Sequence, residues 1–147
     1  MFRYSTTLKL RDTDAAGVAF FAAYFAIAHD AYESFLVSCG AHLRDWLGEV
    51  HLPIVHSHAD YTAPLRLSDA FEVELTCPRV GEHSFTLHYH FVDHVHERTL
   101  ARLETVHVAV KFDDRKHESV PLPEQVRSVL SGIKVGSDQA RDAQRET

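Results

Sequence analysis

Between residues 21 and 39 the large apolar side chains recur at helical spacing, as Phe21, Phe25, Ala28, Tyr32, Phe35, Leu36 and Cys39. Alanines 22, 23, 26, 28 and 31 favour the same conformation and Gly40 supplies a stop, so the spacing predicts a helix over 21–39. Aromatic residues on several of its sides predict that other structure covers it. Elsewhere the period drops to two. Residues 2–10, with Tyr4, Thr6, Thr7 and Leu8, read as a first strand. Four strand-like runs follow the helix, "LPIVHSHADYTA", "FEVELTC", "SFTLHYHFV" and "TLARLETVHVAVKF". In the second, Phe71, Val73, Leu75 and Cys77 share a face. In the third, Phe85, Leu87, Tyr89 and Phe91 do so, with Thr86, His88 and His90 opposite. The fourth puts Val106, Val108, Val110 and Phe112 together. One polar face per strand predicts antiparallel pairing with a single covered side.

"VGEH", residues 80–83, marks a hairpin turn. "HLRDWLGE" adds a short helical turn, and "PLPEQVRSVLSGI" a terminal helix with Pro123 near its start. The order predicts an α+β fold, a five-stranded antiparallel sheet wrapped around one long central helix. A single domain covers 1–132, and residues 133–147 form a polar, flexible C-terminal tail.

The formal net charge of -6, with 12 histidines left uncounted, argues against a nucleic-acid partner, whose footprint would be a basic face. Cys39 and Cys77 fit no metal or redox spacing and read as reduced thiols of a cytoplasmic protein. The N-terminus "MFRYSTTLKLRDTD" carries charges throughout, unlike a signal peptide. The most apolar segment, residues 18–27, meets His29 and Asp30 too soon for a membrane span.

Three places offer chemistry. Asp12 and Asp14 stand beside Gly17, just ahead of the helix. A helix start presents unpaired N–H groups and partial positive charge, which can hold a carbonyl oxygen as it becomes an oxyanion. A nearby carboxylate can attack that carbonyl or activate water. The plainer alternative is that an aspartate only caps the turn and Gly17 only supplies positive φ. The second place is "HSHAD", where His56, His58 and Asp60 share one strand face. Such a run occurs in binuclear metal hydrolases, but they continue with histidine where this chain has Tyr61, and further ligands such as His88 and His90 would be needed. The plainer alternative is a solvated polar face. The third is "FDDRKHES", whose Arg115, Lys116 and His117 could grip phosphates, though acidic residues surround them. P-loop, G-x-G-x-x-G, G-x-S-x-G and zinc-knuckle spacings are all absent from the sequence.

"DTDAAGVAFFAAYF" resembles the D-x-D-x-x-G-[IV] signature, with its following aromatic pair, of hot-dog-fold thioesterases of the 4-hydroxybenzoyl-CoA thioesterase type. "HDAYESFL", "LPIVHSHADYTAPLRLSD" and "RKHESVPLP" look closest to the 1,4-dihydroxy-2-naphthoyl-CoA hydrolase branch. The resemblance implies hydrolysis of an acyl-CoA thioester, with neither metal nor other cofactor; the alternatives are a metal-dependent hydrolase built on His56, His58 and Asp60, or a non-catalytic acyl-thioester binding module. It implies a catalytic carboxylate at Asp14, a carbonyl-polarising backbone N–H at Phe21 and the loop glycine at Gly17. It also implies a homo-oligomer, a dimer of dimers with sites between subunits. In the 4-hydroxybenzoyl enzyme the hairpin equivalent to "VGEHSF" carries arginines that meet the CoA nucleotide. Gly81 and Glu82 stand there instead, so CoA phosphates must turn to groups such as Arg115 and Lys116. His56 falls where the naphthoyl-CoA branch also has histidine, and His29 and Tyr32 on the helix are expected to shape the acyl pocket.

Overall fold

The computed structural model describes residues 1–44 and 47–135. Its first strand, β1 (Phe2–Thr7), stops short of Leu10, because its partner strand begins at Ala70, paired with Thr7, and no ladder exists beyond it. The chain then buries Leu8 and makes one 3-10 turn at Leu10–Asp12.

Helix α1 (Ala23–Ser38) lies inside the predicted span, with Phe21 and Ala22 forming a turn before it. Tyr24, Ala28, Tyr32 and Leu36, four residues apart, join Ile27, Ala31 and Phe35 in a single buried stripe. The helix ends at Gly40, whose φ of +82 allows Gly40 N–H to reach Val37 O and Ala41 N–H to reach Leu36 O. That paired closure needs a left-handed residue, and glycine adopts it without strain. Contrary to the sequence expectation, other structure does not surround the helix. Ala26, His29, Asp30, Glu33 and Val37 stay exposed along its far side.

Among the described residues seven strands follow α1 rather than four: β2 (Val50–His51), β3 (Ile54–Tyr61), β4 (Ala70–Val80), β5 (Ser84–Asp93), β6 (Arg98–Val108), β7 (Val110–Asp113) and β8 (Lys116–Ser119). The main antiparallel sheet has the order β1-β4-β5-β6-β3, with a small sheet β2-β7-β8 beside it. The expected turn joins β4 to β5 at Gly81, Glu82 and His83. The faces predicted for β4 and β5 are the buried ones. Their side chains meet the α1 stripe in the core, for example Tyr24 against Phe91 at 5.4 Å between ring centroids.

The fourth run departs from expectation. It breaks at Ala109, and its covered face is Ala101, Leu103, Thr105 and His107, while Val106 and Val108 point the other way. The register decides this: His107 pairs with Phe85 and Leu103 with Tyr89, so both must share the core side with those aromatics. Two polar residues tolerate the core because they satisfy each other. Thr105 Oγ1 lies 3.0 Å from His107 Nε2, and His107 Nδ1 lies 3.2 Å from Leu52 O. A carbonyl only accepts, so Nδ1 carries a proton. Burial holds its pKa down to about 4.

Helix α2 (Glu124–Ser131) starts directly after Pro123, as expected, and buries Val126 and Leu130. Arg127 donates to Gly81 O and Glu82 O, fastening the β4–β5 turn. Beyond α2, Ile133 is buried and its carbonyl accepts from Cys77 N–H, so residues 133–135 pack on β4. The remainder of the expected tail, 136–147, lies outside the described residues. So do Asp45 and Trp46 of the expected helical turn, whose described neighbours form turns.

Candidate active site

The two aspartates stand on the rising arm of a tight hairpin. Thr13 bridges Ala19, Asp14 N–H donates to Val18 O, and Gly17 N–H returns to Asp14 O at 3.0 Å. This closure needs a left-handed residue at its fourth position, and Gly17 has φ +75. An added Cβ would meet nothing within 4 Å there, so the backbone angle alone calls for glycine. Asp12 sits low in the hairpin. Its carbonyl accepts from Phe20 N–H at 2.8 Å and its carboxylate lies 3.8 Å from Arg11. Asp14 is exposed at the tip, where Oδ1 accepts from Ala16 N–H at 2.8 Å and Val18 N–H at 3.4 Å. Among the described residues nothing donates to its Oδ2.

The hairpin delivers the chain straight into α1. Phe20 O accepts from Ala23 N–H, while Phe21 N–H finds no acceptor among the described residues. It lies just ahead of the N-cap Ala22, at the positive end of α1. Phe21 itself is 64% exposed. A carboxylate and an unsatisfied donor thus flank one short hairpin, each open to solvent.

A second segment clamps this loop from outside. After β3, residues 61–67 run alongside it. Ala19 N–H donates to Leu65 O at 2.7 Å and Leu67 N–H to Gly17 O at 3.2 Å, while the Tyr61 hydroxyl donates to Phe21 O at 3.0 Å. Between segment and helix start lies a cleft of about 340 Å³, walled by Val18, Phe21, Tyr24, Tyr61, Ala63 and Leu65. Tyr61 meets Tyr24 edge-on at 4.9 Å. Burial, and then the neighbouring Tyr61, raise the Tyr24 pKa, so its hydroxyl stays protonated near neutrality. The cleft is therefore aromatic and uncharged, beside a carboxylate and a helix start.

Residues 8–130 match the family model of the thioesterase-like superfamily. The chain belongs to that superfamily. It is 34% identical to a 1,4-dihydroxy-2-naphthoyl-CoA hydrolase of Synechococcus elongatus, over 88% of this chain and 94% of the relative. The crystal structure of a 1,4-dihydroxy-2-naphthoyl-CoA thioesterase from Synechocystis superposes with a TM-score of 0.80 at 33% identity, covering 88% of this chain and 95% of that one. A gentisyl-coenzyme A thioesterase superposes with a TM-score of 0.74 at 28% identity, covering 85% and 98%. The protein is a thioester hydrolase with the hot-dog fold, an α+β structure with an antiparallel sheet and two helices.

The thioesterase brings only some of the nominated residues together. Asp14, Gly17 and Phe21 share the hairpin and helix start. His56 does not join them within one chain. It pairs with Val106 on the outer sheet face, opposite to Tyr61, and lies 3.9 Å from Glu104. His58 and Asp60 share that face, 3.1 Å apart, and His88 contacts Glu104 at 2.7 Å. Among the described residues no three His, Cys, Asp or Glu side chains are grouped to hold one metal ion. His29 is exposed on α1, its ring 5.9 Å from that of Tyr32. Tyr32 is buried against His107, away from the cleft, and burial raises its pKa. Arg115 lies in the exposed turn between β7 and β8, and Lys116 opens β8, so the expected phosphate loop is a strand hairpin. Reading the residues one at a time missed Tyr61. The signal was present, since Tyr61 falls on the alternate face to His58 and Asp60 and stands where the run in metal hydrolases continues with histidine.

Proposed function

We propose that the protein hydrolyses an aryl-CoA thioester, 1,4-dihydroxy-2-naphthoyl-CoA foremost, to the free acid and CoA. The observation that carries this reading is the helix start, where an exposed Asp14 and an unsatisfied Phe21 N–H flank one hairpin beside an aromatic cleft. Asp14 serves as nucleophile or general base toward the thioester carbon. As the carbonyl oxygen gains negative charge, Phe21 N–H, at the positive end of α1, receives it. The C–S bond breaks, the acyl carbon gains the hydroxyl of water and the sulfur gains its proton. Both acyl groups in the relatives' names are aromatic, and flat rings match walls built of Phe21, Tyr24 and Tyr61. Arg115 and Lys116 take the CoA phosphates, since the β4–β5 turn offers Gly81 and Glu82 and the nearby Arg127 spends Nη2 on the carbonyls of that turn.

The working unit is an oligomer. Among the described residues β3 bonds only to β6, so its other backbone edge is unpaired, and Ile54 and Val55 on this strand are 45% and 60% exposed. An apolar open edge is a template for strand pairing. Two such edges join in a dimer, two dimers make a tetramer, and α1 becomes the central helix of a covered layer. His29 and His56 reach substrate only across subunits, with Tyr32 supporting His29 from behind. No helix among the described residues is long and apolar enough to cross a membrane, and the assembly is assigned to the cytoplasm.

Free-thiol release from naphthoyl, smaller aryl and fatty acyl-CoA thioesters, measured across an enzyme dilution series, tests the reading. Aryl thioesters are expected to be preferred, with specific activity collapsing as monomers appear. Preference for fatty acyl chains would remove the aryl assignment, and a fully active monomer would remove the shared site.

A further inference from the structure

Three bonds tie residues 61–67 to the hairpin and helix start, and two of them are backbone to backbone. The third is made by a side chain. The Tyr61 hydroxyl donates to the carbonyl of Phe21, the residue whose own N–H is the unsatisfied donor. The peptide carrying that N–H is held at its oxygen by Ala23 N–H. The links on either side of it are anchored by Phe20 N–H on Asp12 O and by Tyr61 on Phe21 O. Tyr61 also ends β3, the strand with the open edge, and its ring walls the cleft against Tyr24.

We infer that Tyr61 is a positioning residue for thioester hydrolysis, fixing the direction of the Phe21 N–H through the Phe21 carbonyl and linking the sheet edge to the site. The inference rests on the functional reading given above. An oxyanion donor is effective only where it already points at the developing charge, so a hydroxyl that anchors the adjoining peptide, and through it the donor's direction, acts on the transition state more than on the ground state. The bound substrate needs the cleft walls, which phenylalanine at this position would preserve. The chemical step needs the orientation, which phenylalanine would not preserve.

The test is steady-state kinetics of Tyr61→Phe on 1,4-dihydroxy-2-naphthoyl-CoA, or on the best substrate from the thioester panel, with melting temperature and oligomeric state measured on the same samples. Asp14→Asn is assayed in parallel. The expected result is a loss of about tenfold in kcat with KM, melting temperature and assembly unchanged. An unaltered kcat overturns the inference, as does a raised KM at full kcat, which would make the hydroxyl a substrate contact. A rate loss that follows lost assembly or lost stability also overturns it, because the role would then be structural. A dead Asp14→Asn beside an unimpaired Tyr61→Phe sinks this inference alone. Full activity of Asp14→Asn overturns the functional reading, and the role of Tyr61 with it.

Discussion

The outer face of the sheet and the hairpin ahead of α1 are the two regions of this molecule with the most candidate chemistry, and they differ in how their polar groups are spent. On the outer face, His88 meets Glu104 at 2.7 Å, His94 meets Glu72 at 3.0 Å, His58 meets Asp60 at 3.1 Å and His90 meets Glu74 at 3.3 Å. Arg3 adds a further contact to Glu72. Each of these histidines answers a carboxylate, His58 within its own strand and the others across the sheet, and exposed pairs of this kind contribute little to stability. The hairpin holds far fewer groups, but they are not spent on each other. Asp14 uses Oδ1 to brace its own turn, and Phe21 N–H, just ahead of the helix start, finds no acceptor among the described residues. On the proposed reading, density of titratable residues is a poor guide to a site, and unsatisfied groups beside a cleft are a better one.

Four results would break or sharpen this contrast. The largest effect belongs to Asp14→Asn, which keeps a turn-bracing oxygen but removes the charge that, on the proposed reading, attacks or deprotonates water. It should lower kcat by about a hundredfold or more in a folded protein. Turnover close to the wild-type value would reduce Asp14 to a turn residue.

Acid provides the next test, and it concerns the one histidine that faces the core. His107 is met by Thr105, Leu52 O, Tyr32, Phe85 and, nearby, His29. Its folded pKa of about 4 lies below the unfolded value of 6.5, so between those limits the unfolded chain binds more protons. Stability should be unaffected by His107 above pH 6.5 and fall as pH drops toward 4, by on the order of 2 kcal/mol at pH 4.5. Burial also lowers the His90 pKa, which acts in the same direction. Asp93, held at about 2 chiefly by its bond from His96, loses its contribution only below the usual 3.8. Denaturant unfolding at pH 7 and pH 4.5 reads the difference, and equal midpoints would mean that His107 charges without cost.

Asp12→Asn should cost about 1 kcal/mol or less, since the carboxylate meets only the exposed Arg11 among the described residues and its carbonyl bond to Phe20 survives the change. If Asp12→Asn instead abolished turnover and Asp14→Asn did not, the assignment would be displaced by two residues. The smallest effect is expected from EDTA and from His58→Ala, neither of which should move kcat, because the outer-face groups are occupied in pairs. Activity lost to the chelator and restored by zinc would return the histidine strand to the chemistry.

Much of this protein can be read from local pattern. The i, i+4 apolar series places α1, strict alternation places β4 and β5 with their correct faces, and Gly40, residues 81–83 and Pro123 mark the stops and turns. These are decided by backbone preferences and by burial of one face, both of which act within a few residues. The motif around Asp14, Gly17 and Phe21 is equally local, because a hairpin running into a helix is a contiguous object. The face of β6 is not local. Its valines and its His107 alternate equally well, and only pairing with Phe85 and Tyr89 on β5 chose which set went inward. The position of Tyr61 over Phe21 is likewise a contact across 40 residues, made because β3 docks at the sheet edge. The same docking turned His56, His58 and Asp60 outward. Side-chain type and spacing specify what a segment can do, and the register of strands distant in sequence specifies which of those capacities meet.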